Sequence, residues 1–238
     1  MAIHDHEMFR IETQARYTEP VDLMGLQMAW VITVAQQKGG AGKTMIAANL
    51  AAYWATTRRV ALLDIDKQSS LSRWHGVRAT SGKPVSAIHL SEVAGWRMAA
   101  ELDRLRITHD IIIIDSPPQI ETDARLAIRA ADLVLVPLQP SLPDLWAAEG
   151  TLKLALAERR PARVVLNRAP AKGALLNQIV GQLRKAGALT LQARLGNRSG
   201  MATAFGRGLG VTEASPKSLA ATEVASLAQE LEALVSSQ

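Results

Sequence analysis

Apolar positions along the chain fall into two kinds of stretch that alternate. Short runs rich in β-branched residues (Val31–Ala35, Val60–Asp64, Ile111–Ile114, Leu133–Pro137, Val164–Asn167 and Leu189–Ala193) predict strands. Between them, apolar residues recur at helical spacing. Lys43–Ala55 places Ile46, Ala47, Leu50, Ala51 and Trp54 on one stripe, and Ala174–Lys185 does the same with Leu175, Leu176, Ile179 and Leu183. Further helices are predicted near Ser69–His75, Glu92–Leu105, Thr122–Ala130, Trp146–Glu158 and Thr222–Val235. Strand then helix, repeated, is the pattern of a parallel sheet with crossover helices. The unbroken apolarity of Ile111–Ile114 marks a central strand covered on both faces. The expected fold class is α/β: a three-layer, mostly parallel β-sheet flanked by helices.

Length adds that one core suffices. The 238 residues fit a single domain, assigned to residues 29–238. Residues 1–28 carry no strong period and are read as an N-terminal arm whose order the sequence does not define. No apolar run approaches the roughly 20 residues that cross a bilayer, and the first thirty residues lack the basic start and apolar stretch of a secretory signal. Cysteine is absent, which removes disulfides, thiolate zinc sites, iron–sulfur clusters and cysteine nucleophiles together. The expected compartment is the cytoplasm.

Charge matters through its distribution. The net charge is +5. Ten basic residues lie between Arg159 and Thr212 (Arg159, Arg160, Arg163, Arg168, Lys172, Arg184, Lys185, Arg194, Arg198, Arg207) with no Asp or Glu among them. A regional excess of this kind points to a polyanionic partner.

The chemistry is concentrated at strand ends. Val31–Ala35 runs into Gln36-Gln37-Lys38-Gly39-Gly40-Ala41-Gly42-Lys43-Thr44 and then into a helix, the context of a phosphate-binding loop. Glycines let backbone N–H groups converge on phosphate oxygens, and the helix N-terminus adds positive potential. Lys43 is placed to reach the β- and γ-phosphates and Thr44 to ligate Mg2+. Gln37 stands where the common form of the loop has its first glycine, and Lys38 opens the motif instead. Val60–Leu63 ends in Asp64-Ile65-Asp66-Lys67-Gln68, and Ile111–Ile114 ends in Asp115-Ser116-Pro117-Pro118. Carboxylates at the C-terminal ends of neighbouring parallel strands converge on the crevice where ligands bind.

Lys38-Gly39-Gly40-Ala41-Gly42-Lys43-Thr44 resembles the deviant Walker A loop of the ParA/MinD family of P-loop NTPases. Asp64–Gln68 resembles that family's second motif, with Lys67 in place of the usual proline, and Asp115–Pro118 resembles its Walker B segment. The resemblance covers most of residues 30–235 and implies ATP and Mg2+ as ligands. It implies that Lys38 reaches the nucleotide of a second copy across a homodimer, and that Asp66 orients the attacking water. Asp64 and Asp115 would serve the magnesium, and Asn167, in Val164–Arg168, would contact adenine. Missing features select among branches: there is no cysteine for a cluster, only Tyr17 and Tyr53 rather than a tyrosine-rich tail, and a C-terminal segment with Glu223, Glu230 and Glu232 in place of a basic membrane-binding helix. The small ParA-type ATPases remain. That branch implies slow ATP hydrolysis stimulated by a ParB-like cargo adaptor, non-specific DNA binding in the nucleoid by Arg168, Lys172, Arg184, Lys185, Arg194, Arg198 and Arg207, and no membrane association. The alternatives are a MinD-like membrane-associated ATPase and an ATP-dependent metabolic ligase of the same fold.

Overall fold

The computed structural model describes residues 29–118 and 122–235; the arm at residues 1–28 lies outside them. Seven strands, β1 (Trp30–Val34), β2 (Val60–Asp64), β3 (His89–Glu92), β4 (Ile111–Asp115), β5 (Leu133–Leu138), β6 (Ala162–Ala169) and β7 (Thr190–Gly196), form one sheet in the order β3-β2-β4-β1-β5-β6-β7. Every neighbouring pair is parallel. The order reverses between β4, β1 and β5, which places the topological switch point at the end of β1.

Strand residues alternate between two faces, and the core divides accordingly. Ile32, Val34, Leu62, Ile113, Leu135 and Val165 meet α1 (Lys43–Trp54), α2 (Ser70–Ala79), α7 (Ser199–Phe205), α8 (Val211–Ala214) and α9 (Leu219–Val235). On the other face Val31, Leu63, Ile112 and Ile114 pack against α3 (Met98–Thr108) and α4 (Thr122–Ala130). Val134, Val136, Val164 and Leu166 pack against α5 (Leu142–Ala157) and α6 (Ala174–Lys185) on that same face. Both faces being covered explains why β2, β4 and β5 are buried along their whole length and read as unbroken apolar runs. Pro137 sits inside β5 because it lies past Leu135, the last residue of β5 paired with β1. Its carbonyl accepts the Gln36 side-chain amide at 3.1 Å.

The predicted strands and long helices are present, and further short elements appear among the described residues. β3 is an edge strand in which only Leu90 is apolar, so its sequence carries no alternation to read; the helix expected from Glu92 begins at Met98. α7 and α8, of seven and four residues, are too short to show a period. The acidic C-terminal helix buries Val224, Leu227, Ala228 and Leu231 in its own domain. No described helix is long and apolar enough to cross a membrane.

α8 is tied to α2 by a buried ion pair. Arg78 donates Nη1 and Nη2 to the two carboxylate oxygens of Glu213 at 2.7 Å each, and also reaches the carbonyls of Ser86 and Gly208. Glu213→Ala is expected to cost about 3–5 kcal/mol of stability in urea denaturation, because it strands a buried guanidinium. Arg78→Met with Glu213→Leu in the same chain is expected to recover most of that loss.

Candidate phosphate and metal site

The loop after β1 is shaped by two glycines and held by side chains from β6 and the end of β5. Gly40 and Gly42 have φ of +76° and +97°, a region in which a Cβ is strained. Gly42 has a second reason, since a Cβ there would collide with the Asn167 amide. Asn167 Nδ2 donates to the Ala41 carbonyl and Gln139 Nε2 to the Gly40 carbonyl, both at 2.8 Å. In a trans peptide the N–H points opposite to the C=O. Tying those two carbonyls therefore turns the N–H groups of Ala41 and Gly42 away from the braces, an arrangement suited to an anion.

Gly39, Gly40, Gly42, Lys43 and Thr44 line a cleft of about 280 Å3, closed on its other sides by Met45, Asp66, Gln68, Arg168 and Phe205. Lys43 is buried and donates Nζ to the Gln36 carbonyl at 3.2 Å. Burial holds its pKa below the usual lysine value, while Asp115 and Asp66 pull it back up. Asp115 lies at the end of β4, beside Asp64 in the β2–β4 register. Its Oδ2 accepts the Thr44 hydroxyl at 2.6 Å, and its Oδ1 is buried with no partner. Burial pushes this carboxyl up to about 7; the Thr44 hydrogen bond and Lys43 oppose the rise, and the charges of Asp64 and Asp66 add to it. A hydroxyl and a carboxylate with one orphaned oxygen form an oxygen donor set that fits a hard divalent cation such as Mg2+.

The two acids after β2 differ. Asp64 Oδ2 accepts the N–H and hydroxyl of Ser72 at 2.9 and 2.8 Å, and Oδ1 accepts the Asp66 N–H at 3.2 Å. Both oxygens are thus occupied in fixing α2 and the Asp66 turn. Burial raises the Asp64 pKa, with the Ser72 bonds opposing. Asp66 is half-buried and faces the cleft.

Lys38 does not line the cleft. Its side chain is 42% exposed and its Nζ lies 2.5 Å from Oδ2 of Asp144, a buried carboxylate that also accepts the Ser141 hydroxyl at 2.5 Å. Asp144, Gln36, Gln139, Ser72 and Phe205 were not among the sequence candidates. Ser141-Leu142-Pro143-Asp144 carries the serine and acid of a helix-capping box, a signal that marks the start of α5 and would have placed Asp144 beside the loop.

The basic candidates occupy four places rather than one patch. Lys172, Arg194 and Arg198 lie at or beyond the C-terminal half of β6 and β7, with Arg198 paired to Glu223 at 2.8 Å. Arg184 and Lys185 end α6 at the opposite end of the strands, before β7 begins. Arg207 shares a separate cavity with Tyr53 and Thr56 at the end of α1, and Arg168, with φ +50°, lines the phosphate cleft itself.

Residues 32–211 match the CobQ/CobB/MinD/ParA nucleotide binding domain, well over half of the chain. The chain belongs to this family. Among members of the CobQ/CobB/MinD/ParA family it is 27% identical over 211 residues to Maintenance of carboxysome distribution protein A of Halothiobacillus neapolitanus, covering 84% of this chain and 94% of that protein. It is 34% identical over 162 residues to the Chromosome-partitioning ATPase Soj of Thermus thermophilus, covering 57% of this chain and 64% of Soj. Its fold matches the Cyanothece McdA–ATP complex with a TM-score of 0.73 at 19% identity, covering 87% and 97% of the two chains. It also matches the cell division ATPase MinD of Pyrococcus furiosus with a TM-score of 0.74 at 19% identity, covering 87% and 100%. It is thus a ParA/MinD-family ATPase, with relatives named for carboxysome distribution and chromosome partitioning.

Gly42→Ala is expected to lower ATP affinity at least about tenfold in isothermal titration calorimetry, with an unchanged far-UV circular dichroism spectrum. The added methyl group must displace Asn167 and adopt a strained φ. Asn167→Ala is expected to weaken binding less, since it frees the Ala41 carbonyl without a collision.

Proposed function

We propose that this chain is a ParA-like ATPase that, as an ATP-bound homodimer, binds DNA without sequence preference and positions a cargo. The observation that carries the reading is the division of labour between the loop's two lysines. Lys43 is buried in the cleft of its own chain, while Lys38, on the same nine-residue loop, projects away from that cleft onto Asp144. A lysine that cannot serve its own phosphates is placed to serve those of a second copy brought cleft to cleft.

In this reading the loop N–H groups and Lys43 hold the β- and γ-phosphates, and Thr44 and Asp115 hold magnesium. The metal supplies charge neutralisation as the γ-phosphoryl leaves. Asp66 orients the water, held in place by the Asp64 carboxylate through its backbone N–H. Asn167 contributes by bracing Ala41. Lys38 exchanges Asp144 for the partner's nucleotide, so its contact forms only in the dimer. Catalysis by positioning alone is slow, and an adaptor of the ParB kind would accelerate it by completing the geometry. Lys172, Arg194 and Arg198 share one end of the sheet and are the DNA surface this reading favours; two copies double it without adding a base-reading contact. The similarity to carboxysome-distribution and chromosome-partitioning proteins supports a positioning role over a ligase.

With ATP and magnesium, the chain is expected to bind random-sequence DNA in a salt-sensitive way, and ADP or Lys43→Ala is expected to abolish that binding in fluorescence anisotropy. Equal binding in all nucleotide states would exclude the switch, and stoichiometric ATP use with a small organic acid would favour a ligase instead.

Sedimentation velocity of Asp66→Ala saturated with ATP is expected to give a dimer, and adding Lys38→Ala is expected to return it to monomer. A monomer in both cases removes the sandwich.

A further inference from the structure

At the end of the sheet opposite the phosphate loop, one face of α5 borders an open groove that no described residue fills. Glu149, Leu152, Lys153 and Leu156 follow one another at helical i, i+3, i+4, i+7 spacing and line one wall of this groove of about 630 Å3. The other walls are Arg160–Arg163, which lead into β6, and the turn from Ala186 to Leu189, which leads into β7. Leu156 is 78% exposed and Leu189 58% exposed. Lys153, Arg160 and Arg163 stand around these leucines, and none is in an ion pair among the described residues. Glu149 is the groove's single carboxylate; the nearby Glu158 is already held by Arg125 and Arg129 at 2.9 and 2.8 Å.

The composition of the groove selects its occupant. Exposed leucines gain nothing from a phosphate backbone, so the nucleic acid that suits a purely basic surface does not suit this one. A lipid surface is met by side chains that protrude from a convex face, whereas these line a concavity. Leucines set in a groove, with three cations against one carboxylate, complement a helix that carries apolar residues on one face and acids beside them. We propose that this groove is a docking site for an acidic amphipathic helix of a partner protein.

Its position gives the site a use. β6 rises about 26 Å over its eight residues, so an occupant at the start of β6 neither blocks the phosphate cleft nor competes with a second copy meeting it there. The docking site is available in every nucleotide state, and it does not depend on the dimer proposed above.

The test uses the full chain and three fluorescein-labelled peptides in fluorescence polarisation. The first has leucines at i, i+3, i+4 and i+7 with glutamates elsewhere; the second replaces the glutamates with lysine, and the third replaces the leucines with serine. Binding of the first alone is expected, at about 10–100 µM. Leu156→Ser with Leu189→Ser should weaken it at least about tenfold, as should Arg160→Ala with Arg163→Ala, the latter with reduced salt sensitivity. Because all four side chains stand at the surface or rim, these variants test the groove rather than folding. Lys43→Ala is expected to leave peptide binding unchanged, which separates this result from any failure of nucleotide-driven dimerisation. Equal binding of the three peptides, no binding of the first, or binding that survives both double variants would overturn the proposal. Co-sedimentation with phosphatidylglycerol vesicles that is lost in the leucine variant, without peptide binding, would replace the helix by a lipid surface.

Discussion

A carboxylate taken out of water needs compensation, and Asp115 has little. One oxygen rests on the Thr44 hydroxyl, the other has no partner, and Lys43 is itself buried nearby. Burial works in opposite directions on the two groups, disfavouring the anion on Asp115 and the cation on Lys43. The surrounding structure is what keeps them in place. β4 is buried along its whole length and cannot shift to hydrate Asp115, and α1 begins at Lys43 with nearly all its residues enclosed. A magnesium–triphosphate pair would satisfy both groups at once, giving the carboxylate a cation and the ammonium an anion. The fold holds both groups rigidly in place.

The phosphate loop was legible because its requirements are local. Glycines with positive φ, a lysine and a hydroxyl at the head of a helix, and an apolar strand in front are all adjacent in the chain, so Gly40, Gly42, Lys43 and Thr44 could be read directly. The long elements were legible for a related reason: a strand buried on both faces, such as β4, and an amphipathic helix, such as α6, each declare their period. What depends on distant partners was not. The bonds from Ser72 to Asp64 Oδ2 are one case, since the serine eight residues later gives no sign in the motif. Asn167 also braces the loop through the Ala41 carbonyl, 126 residues away in sequence, a contact that the motif does not announce. The basic stretch from Arg159 to Arg207 looked continuous as a string, but successive strands and helices carry it to both ends of the sheet and into the cleft.

Asp144 explains how one loop can hold two lysines that behave differently. The buried Asp144 carboxylate, itself held by Ser141, gives Lys38 a partner in its own chain while leaving its side chain partly in water. Lys43 meets no such acceptor outside the cleft and turns inward to the Gln36 carbonyl. The difference between the two lysines is set by α5, an element distant in sequence from the glycines that define the loop.

The way α1 is enclosed has a mechanical consequence. Asn49 on this helix accepts the Val211 N–H at 2.8 Å, and Gly210 lies so close to Ala52 that no side chain fits between them. Phe205, just upstream, forms part of the wall of the phosphate cleft. The head of the helix and its far turns therefore touch the same C-terminal segment. A displacement of α1 would press directly on residues 205–211, linking the phosphate loop mechanically to the C-terminal segment.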